Sequence, residues 1–517
     1  MKELKYPELF PIAYGNEEEG TVMVGLAGDD VNAFSPALDF LARHREYVPA
    51  SIKTVREDAN RQHTQGGAVM YRTGSQGATL LETATPECSR PQEIASAIQS
   101  TERLRVKMAS AYVRERAASD RPVELRMQRR TVDGYGNTAA SHDSLEARRP
   151  NWLRNFESNK DARLAMLAHM ATRSFMTGAG YVDQDQLYFA QKARHLKSLE
   201  GYGFIDSAYR RDVTETSDTG ARMEWRCGDK NLSPWAIKER VVGAALVFTA
   251  LQIDELLPAL RERVPTIMRR GDEAIVDAFR LYNMAYLEPD GTMKAAELTH
   301  DAVDFQEWQF TVLAQHLGNY VELDQEHLDI VEEGIKYCQD FREVLAGRET
   351  VRLLADRSDN AVKFAKIAAS VQRGLDDGFD RSVTDDISRM WDLRYDHIQV
   401  SPGLGKDVRV EYGYGYKWRD KGGFKDQVPD ESVERGLYYP PETTRAHVRG
   451  YLIRRQKIEQ CQWNKIRVGY RPEDMEDFSL KQVKLPDAVL RPTDRQLSPE
   501  AYVRLRGRDM APQIGAL

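Results

Sequence analysis

The chain has 517 residues, of which 41% are hydrophobic and 30% are charged, so it can bury a large core and exceeds the usual size of one domain. Its 80 acidic and 73 basic residues give a formal net charge of -7, and the basic residues are scattered, which argues against a nucleic-acid-binding protein. Its four cysteines lie far apart without CxxC spacing, which argues against a structural zinc site or a disulfide framework, and we expect a reducing cytoplasm.

Membrane association is not expected either. The N-terminal stretch MKELKYPELF lacks the apolar core of a signal peptide. The longest apolar run, VVGAALVFTAL from Val241, is too short and too closely flanked by charges to cross a bilayer.

The first predicted element is a strand in YGNEEEGTVMV, from Tyr14 to Val24. Side chains alternate along a strand, so Glu17 and Glu19 share one face and Glu18 takes the other. An exposed edge strand with a solubilising charge run is one interpretation of this pattern. The other is a divalent metal site on a sheet, because Mg²⁺ prefers oxygen ligands.

Further along the chain, the pattern changes to long amphipathic segments. The apolar stretch from Val241 to Val264 predicts a buried helix, and the stretch from Leu323 to Leu345 predicts a core helix. Its apolar stripe consists of Leu328, Val331, Ile335, Cys338 and Phe341. Gly and aromatic residues from Val400 to Tyr439 predict loops around a hairpin. We predict a large domain over residues 1–440 and a small C-terminal domain over residues 441–517.

Seven further stretches give the glutamates a context. They are GAVMYRTGSQGATLLETATPEC (67–88), VDGYGNTAASHDSL (132–145), TRSFMTGAGYV with AQKARHL (172–182 and 190–196), RMEWRCGDKNLS (222–233), SDNAVKFAKI (358–367), WDLRYDHI (391–398) and PPETTRAHVRGYLIRR (440–455). Together with the first strand they resemble the Pup ligase and Pup deamidase/depupylase family, in the same order from Gly15 to about Val468. The resemblance implies an α+β fold, in which a glutamine synthetase-like domain has a curved, largely antiparallel sheet backed by helices, with a small C-terminal domain.

The resemblance also implies which residues form the site. Five positions would hold Mg²⁺: Glu17, Glu19, Tyr71, Glu82 and Asp143. Five would contact ATP: Thr85, Asn231, Arg445, Arg449 and Trp463. Arg222 would act in catalysis by stabilising phosphate oxygens with its planar, multi-donor guanidinium. We expect His142 to be a hydrogen-bonded structural residue, because no second histidine stands at ligand spacing.

One family residue is missing. Members carry an aspartate two residues after the tyrosine that matches Tyr71, where it serves as a base. The corresponding position here is Thr73 when aligned from Tyr71, or Gly77 when aligned from Glu82, and neither can take up a proton at neutral pH. Glu87 and Glu224, the latter replacing a family histidine, are the first alternatives to test.

The interval from Glu19 to Gly67 has the length found in the ligases, and TGAGYV is also closer to the ligase pattern. The resemblance therefore implies an ATP-dependent carboxylate-amine ligase that forms an isopeptide bond through an acyl phosphate. By the same resemblance, the donor would be a small ubiquitin-like protein tag and the acceptor a lysine. Two alternatives stay open: an amide or isopeptide hydrolase, and a nucleotide-binding regulator that has lost catalysis.

Overall fold

The structure is a computed structural model that describes residues 4–26, 32–33, 50–51, 62–75, 78–117, 122–129, 141–147, 159–183, 186–196, 199, 221–296, 298–403, 407–455, 458–461, 465–468 and 483–484. Its strands are β1 (Tyr14–Leu26), β2 (Asn32–Ala33), β3 (Ala50–Ser51), β4 (Gln62–His63), β5 (Val69–Ser75), β6 (Ala78–Ala84), β7 (Val123–Gln128), β8 (Ser141–Ala147), β9 (Tyr181–Asp183), β10 (Gln186–Tyr188), β11 (Ala221–Gly228), β12 (Met284–Leu287), β13 (Met293–Ala295), β14 (His397–Pro402), β15 (Val408–Tyr412), β16 (Ile458–Cys461), β17 (Lys465–Val468) and β18 (Val483–Lys484).

Its α-helices are α1 (Pro91–Ala117), α2 (Lys160–Thr172), α3 (Ser174–Thr177), α4 (Pro234–Ala250), α5 (Leu257–Arg263), α6 (Asp272–Tyr282), α7 (Leu298–Trp308), α8 (Ala314–Leu317), α9 (Gln325–Leu345), α10 (Asp359–Asp376), α11 (Arg381–Leu393), α12 (Tyr414–Asp420), α13 (Asp430–Gly436) and α14 (Arg445–Arg455). A π-helix, Gln309–Leu313, joins α7 to α8. Short 3-10 segments span Pro7–Leu9, Gln191–Arg194, Asp254–Leu256, Thr266–Arg270 and Val351–Leu354.

The chain divides into two compact units. The first comprises the described residues of Met1–Ile12, Gln128–Ile398 and Glu411–Gln427, and the second those of Ala13–Met127, Gln399–Val410 and Val428–Leu517. The boundary predicted at residue 440 does not coincide with this division, because the described C-terminal elements fall in the same unit as β1. A separate C-terminal domain therefore stays a prediction.

In the second unit, a sheet carries the N-terminal glutamates. Its strands follow the order β7-β1-β6-β5-β4-β3, and the registered pairs β1/β6, β6/β5, β5/β4 and β4/β3 are antiparallel. Helix α1 follows β6 directly and buries apolar residues at helical spacing, among them Ile94, Ile98 and Leu104. It begins at Pro91, whose missing N–H is not needed in a first turn.

The first unit is mainly helical, around the wholly buried helix α4. Ser233 caps α4 by accepting a hydrogen bond from the Ala236 N–H, 3.2 Å away. The predicted single helix from Val241 to Val264 is wrong in both limits, since α4 begins at Pro234 and ends at Ala250. Among the described residues, no single helix is long and apolar enough to cross a membrane, and only the pair Pro234–Ala250 and Asp254–Arg263, bent by 103°, meets that length and composition.

Two other predicted elements are present. Helix α9 spans Gln325–Leu345, and Val331, Cys338 and Phe341 of the predicted stripe are buried on it. Leu328 and Ile335 are only half-buried at the edge of the stripe, which centres instead on residues such as Ile330 and Tyr337. Strands β14 and β15 form the predicted hairpin, and α12 follows where only loops were expected.

Candidate active site

Four oxygen-bearing side chains lie on one face of the second unit's sheet, and we call this set the carboxylate face: Glu17, Glu19, Tyr71 and Glu82. In the ladder between β1 and β6, Glu19 pairs with Glu82 and Glu17 with Ala84. In the next ladder, Tyr71 on β5 pairs with Glu82. The Tyr71 hydroxyl donates a hydrogen bond to Glu17 Oε2 at 3.3 Å. The alternation predicted from the sequence therefore brings the four together across three neighbouring strands.

Glu18, the middle glutamate, points to the opposite face. Its carboxylate is buried and lies 3.3 Å from Nη2 of Arg105 on α1. This buried ion pair joins the sheet to the helix behind it, and removing either partner would leave an uncompensated buried charge. The run of three glutamates thus divides into two site carboxylates and one that holds the sheet against α1.

Thr85 lies just beyond β6 and is buried. Its Oγ1 accepts a hydrogen bond from the Asn16 N–H at 2.9 Å, and its own N–H donates to the Asn16 carbonyl at 2.8 Å. In this structure Thr85 therefore joins β1 to the end of β6. A contact with ATP stays a prediction for this residue.

Arg445 and Arg449, on α14, both bind Glu87, and their predicted contact with ATP stays a prediction. Arg445 Nε donates to Glu87 Oε1 at 2.9 Å, and Arg449 Nη1 donates to the same oxygen at 2.7 Å. All three side chains are buried. Although burial raises the pKa of the Glu87 carboxyl, the two guanidinium groups outweigh it and lower the pKa to about 2. Both arginines therefore already bind a carboxylate of their own chain.

Asp143, a predicted metal ligand, lies on β8 in the first unit and also binds arginines. Its Oδ2 accepts a hydrogen bond from Arg173 Nη2 at 2.9 Å, and its Oδ1 lies 3.2 Å from Arg240 Nε. All three side chains are almost fully buried. Two fixed positive charges neutralise this carboxylate, and they would repel a magnesium ion there. The metal-ligand role of Asp143 stays a prediction.

The neighbouring residue, His142, lies on the other face of β8. Its Nδ1 is 3.1 Å from Glu224 Oε1 on β11, and that oxygen also accepts a hydrogen bond from Arg226 Nε at 2.7 Å. Both His142 and Glu224 are buried. The structural role expected for His142 stays a prediction.

Asn231 is fully buried, and its polar groups are used within the fold. Its Nδ2 donates to the Thr177 carbonyl at 2.8 Å, and its Oδ1 accepts from Arg240 Nη1 at 3.0 Å. A contact between Asn231 and ATP stays a prediction.

Of the other predicted site residues, Arg222 is placed by its backbone alone and Trp463 is not placed. Arg222 pairs with Glu146 in the β11/β8 ladder, which fixes its backbone on the strand. Trp463 lies outside the described residues, as does Gly77. Thr73 is paired with Leu80 in the β5/β6 ladder, two rungs from the Tyr71–Glu82 pair. Position 73 therefore falls on the same strand face as Tyr71, and the regular ladder favours alignment of the missing aspartate with Thr73.

No sequence pattern indicates a special role for Glu239, which lies on α4 and is fully buried. Burial raises the pKa of its carboxyl to about 8, although Arg173 and Arg240 act in the opposite direction. It lies in the first half of a helix whose other residues are also buried, so helical spacing could not reveal it. The carboxyl is therefore largely protonated at neutral pH.

Comparisons with known proteins identify the family and the fold. The sequence profile of the family described as Pup-ligase protein matches residues 29–467. A relative described as Pup-protein ligase, from Acidimicrobium ferrooxidans, is 24% identical over 393 residues, which cover 73% of this chain and 76% of the relative.

Two solved structures of the Pup ligase PafA share the fold. In one it is in complex with the prokaryotic ubiquitin-like protein Pup, with a TM-score of 0.66 at 18% identity over 98% of this chain and 95% of that chain. In the other it is in complex with ADP, with a TM-score of 0.61 at 19% identity over 92% of this chain and 95% of that chain. These matches confirm the predicted α+β, glutamine synthetase-like fold.

Proposed function

This chain belongs to the Pup-ligase protein family, and from that premise we propose that it is an ATP-dependent carboxylate-amine ligase that works through an acyl phosphate. The family match over residues 29–467 carries the proposal. The donor is a small ubiquitin-like protein, the class of partner seen with the ligase in the structurally similar complex. The acceptor is a lysine amine of a protein substrate, and the product is an isopeptide bond.

The carboxylate face supports Mg²⁺ as the metal. Its donors are carboxylate and phenol oxygens, which suit a hard cation that keeps some water and binds substrate phosphates. Glu17, Glu19, Glu82 and Tyr71 would hold the ion. When bound, the ion would supply positive charge that stabilises the phosphoryl group during its transfer.

The proposed reaction has two steps. A donor carboxylate oxygen attacks the γ-phosphorus of ATP, the bond to the bridging oxygen breaks, and ADP leaves with that electron pair. The acceptor amine then attacks the acyl carbon, phosphate leaves, and the nitrogen gives up a proton. Arg222, through its guanidinium, is proposed to stabilise the phosphate oxygens in the first step.

The second step needs a proton acceptor in place of the missing aspartate. Glu87 and Glu224 are the two carboxylates to consider. Glu87 is held as an anion between Arg445 and Arg449 with a pKa of about 2, so it cannot take up a proton at neutral pH. Glu224, which already accepts a hydrogen bond from Arg226, stays a candidate. A neutral amine that arrives without its proton is the other solution.

Incubation with Mg-ATP, a small ubiquitin-like protein ending in glutamate, and a lysine acceptor tests the proposal. ADP formation together with an isopeptide-linked product is the expected result. Amide cleavage without stoichiometric ATP use would contradict it in favour of a hydrolase, and ATP binding without any product would contradict it in favour of a regulator.

We also propose a cytoplasmic location. Cys88, Cys227 and Cys338 are free and buried, as is usual in a reducing compartment. Separation of cells into cytoplasmic and envelope fractions, followed by immunodetection, would test the proposal, and recovery in the envelope fraction would contradict it.

A further inference from the structure

The segment from Thr85 to Arg90, which we call the β6–α1 connection, is bound to the start of β1 at two places. Thr85 exchanges hydrogen bonds with Asn16, as described above. Three residues further on, the Cys88 N–H donates to the Tyr14 carbonyl at 2.8 Å, and the Tyr14 N–H donates to the Cys88 carbonyl at 2.9 Å. The connection therefore fixes the end of β6 against the start of β1, next to Glu17.

Glu87 lies between these two attachment points and binds α14. Arg445 and Arg449 contact both of its carboxylate oxygens, with Arg449 in a bidentate arrangement. Bidentate arginine-carboxylate pairs combine strength with a fixed geometry. The Glu87 side chain therefore has one arrangement in this structure, set by two helical residues that are distant in sequence.

Two threonines before α14 add contacts to the same connection. Thr444 Oγ1 donates to the Glu87 carbonyl at 2.8 Å. Thr443 Oγ1 lies 2.8 Å from Ser89 Oγ and 2.7 Å from Glu93 Oε1. Backbone and side chain of Glu87 are thus both held by residues 444–449.

These contacts bear on the carboxylate face because its members repel one another. The Glu19 and Glu82 carboxylates lie on neighbouring strands with oxygens within 4.8 Å. Strand β6 leads into the β6–α1 connection just after Glu82. Strand β1 is hydrogen-bonded to the connection through Asn16, just before Glu19. If the connection were not fixed, repulsion between the carboxylates would move the two strands and change the spacing that a cation requires.

We propose that Glu87 is a positioning residue for divalent-cation binding: through Arg445 and Arg449 it holds the β6–α1 connection so that Glu17, Glu19 and Glu82 keep the spacing that a cation needs. This inference rests on the metal role of the carboxylate face in the proposed function. Glu87 acts through other residues, in the way that outer partners orient the ligands of a metal. Because both arginines lie on α14, the proposal also makes the folding of α14 a condition for metal binding.

Mn²⁺ binding to the full-length, nucleotide-free protein tests the proposal, with free Mn²⁺ measured by electron paramagnetic resonance well below the melting temperature. Glu87→Gln keeps the size of the side chain but removes the charge that both arginines bind. We expect the Kd for Mn²⁺ to rise by about tenfold or more, the usual cost of losing an outer partner of a metal ligand. The matched control is Glu115→Gln, which lies on α1 but is exposed and leaves the contacts of the β6–α1 connection in place; its Kd should equal that of the natural protein.

A purely structural role would lower the melting temperature of Glu87→Gln without changing the Kd for Mn²⁺, and that result would overturn the proposal. If Glu87→Gln does not fold, Thr444→Val removes only the hydrogen bond to the Glu87 carbonyl. A raised Kd in that variant supports the proposal, and an unchanged Kd overturns it. If the natural protein itself binds no Mn²⁺, the metal role of the carboxylate face fails, and this inference fails with it.

Discussion

Glu19 on β1 and Glu82 on β6 lie directly opposite each other in an antiparallel ladder, with carboxylate oxygens within 4.8 Å. Two negative charges at this separation repel by about 1 kcal/mol even in bulk water, and by more where the surroundings are less polar. Glu82 is buried and Glu19 half-buried. The stability of this sheet should therefore depend on whether a cation is bound.

Glu19→Gln should affect stability in opposite directions with and without divalent ions. In the absence of such ions, the substitution removes the repulsion and should raise the free energy of unfolding by roughly 0.5 kcal/mol. With Mg²⁺ and ATP, the natural protein should gain stability from binding, and the variant should gain much less. Thermal melts with and without Mg²⁺, together with calorimetric titration of Mg-ATP, measure both effects.

The control for that experiment is Glu115→Gln, because Glu115 is exposed on α1, away from the carboxylate face. Its melting temperature and its Mg-ATP affinity should match those of the natural protein. Unchanged Mg-ATP affinity in Glu19→Gln would remove Glu19 from the metal site.

Thr73→Asp should change the pH dependence of ligation. A lysine amine has an ordinary pKa near 10.4, so without a base the rate should rise steeply with pH as the free amine forms. An aspartate at position 73 falls on the Tyr71 face of β5 and should raise the rate at neutral pH and flatten the profile. Product formation against pH in both proteins measures this.

Thr73→Asn is the matched control, since it has the size of aspartate without its basicity. It should keep the steep profile of the natural protein. A flat profile in the natural protein would show that another group already accepts the proton, and Glu224→Gln would then be the variant to measure.

Asp143→Asn should destabilise the protein whether or not metal is present. It leaves Arg173 and Arg240 without their buried counter-charge, a loss that typically costs about 3–5 kcal/mol. Urea unfolding followed by tryptophan fluorescence measures the change. Asp183→Asn breaks the exposed pair with Arg194 and should cost less than about 1 kcal/mol. A metal ligand would behave differently, because Asp143→Asn would then lower the affinity for Mn²⁺ while preserving most of the stability.

Glu239→Gln should remove part of the pH dependence of stability. The pKa of the Glu239 carboxyl is about 8 in the folded protein, because burial outweighs the attraction of Arg173 and Arg240, and its ordinary value is 4.5. The folded state therefore holds a proton that the unfolded state releases, and this contribution to stability is complete below pH 4.5 and is lost as the pH rises to about 8. The loss is on the order of a few kcal/mol.

The glutamine variant carries a neutral side chain at every pH, so it should lose less stability than the natural protein between pH 5 and pH 9. Free energies of unfolding at several pH values measure the difference. Glu262→Gln is a control in the same unit, because Glu262 is exposed, and its pH profile should follow that of the natural protein. Parallel profiles for Glu239→Gln and the natural protein would contradict the prediction.

The sequence predicts those parts of the fold whose signal is local. Alternation on β1 places Glu17 and Glu19 together, and the apolar spacing of residues 323–345 identifies α9. The limits of α4 could not be predicted in this way. Lys238, Glu239 and Arg240 lie in its first half and are buried. A run of three charged residues normally indicates a solvated surface, so the sequence predicts that the helix begins with the apolar stretch that follows.

Several predicted site residues are paired with side chains that are distant in sequence, which a local pattern cannot reveal. Asp143 has the chemistry of a magnesium ligand, and only the fold shows that Arg173 and Arg240 surround it. Arg445 and Arg449 match a family motif, but no local pattern indicates that their partner is Glu87. The carboxylate face is predictable because its strands pair in register, whereas ion pairs between remote segments follow from tertiary packing alone.

The pairing of Glu87 with α14 also has a consequence for biosynthesis. Glu87 and Arg445 are 358 positions apart, and synthesis at about 5–20 residues per second separates their appearance by roughly 20–70 s. During that interval β1, β5 and β6 have been synthesised, but the two arginines that finally bind the Glu87 carboxylate have not. The unit that carries these strands therefore reaches its final form only after α14 has been synthesised, and until then Glu87 lacks both of its arginine partners.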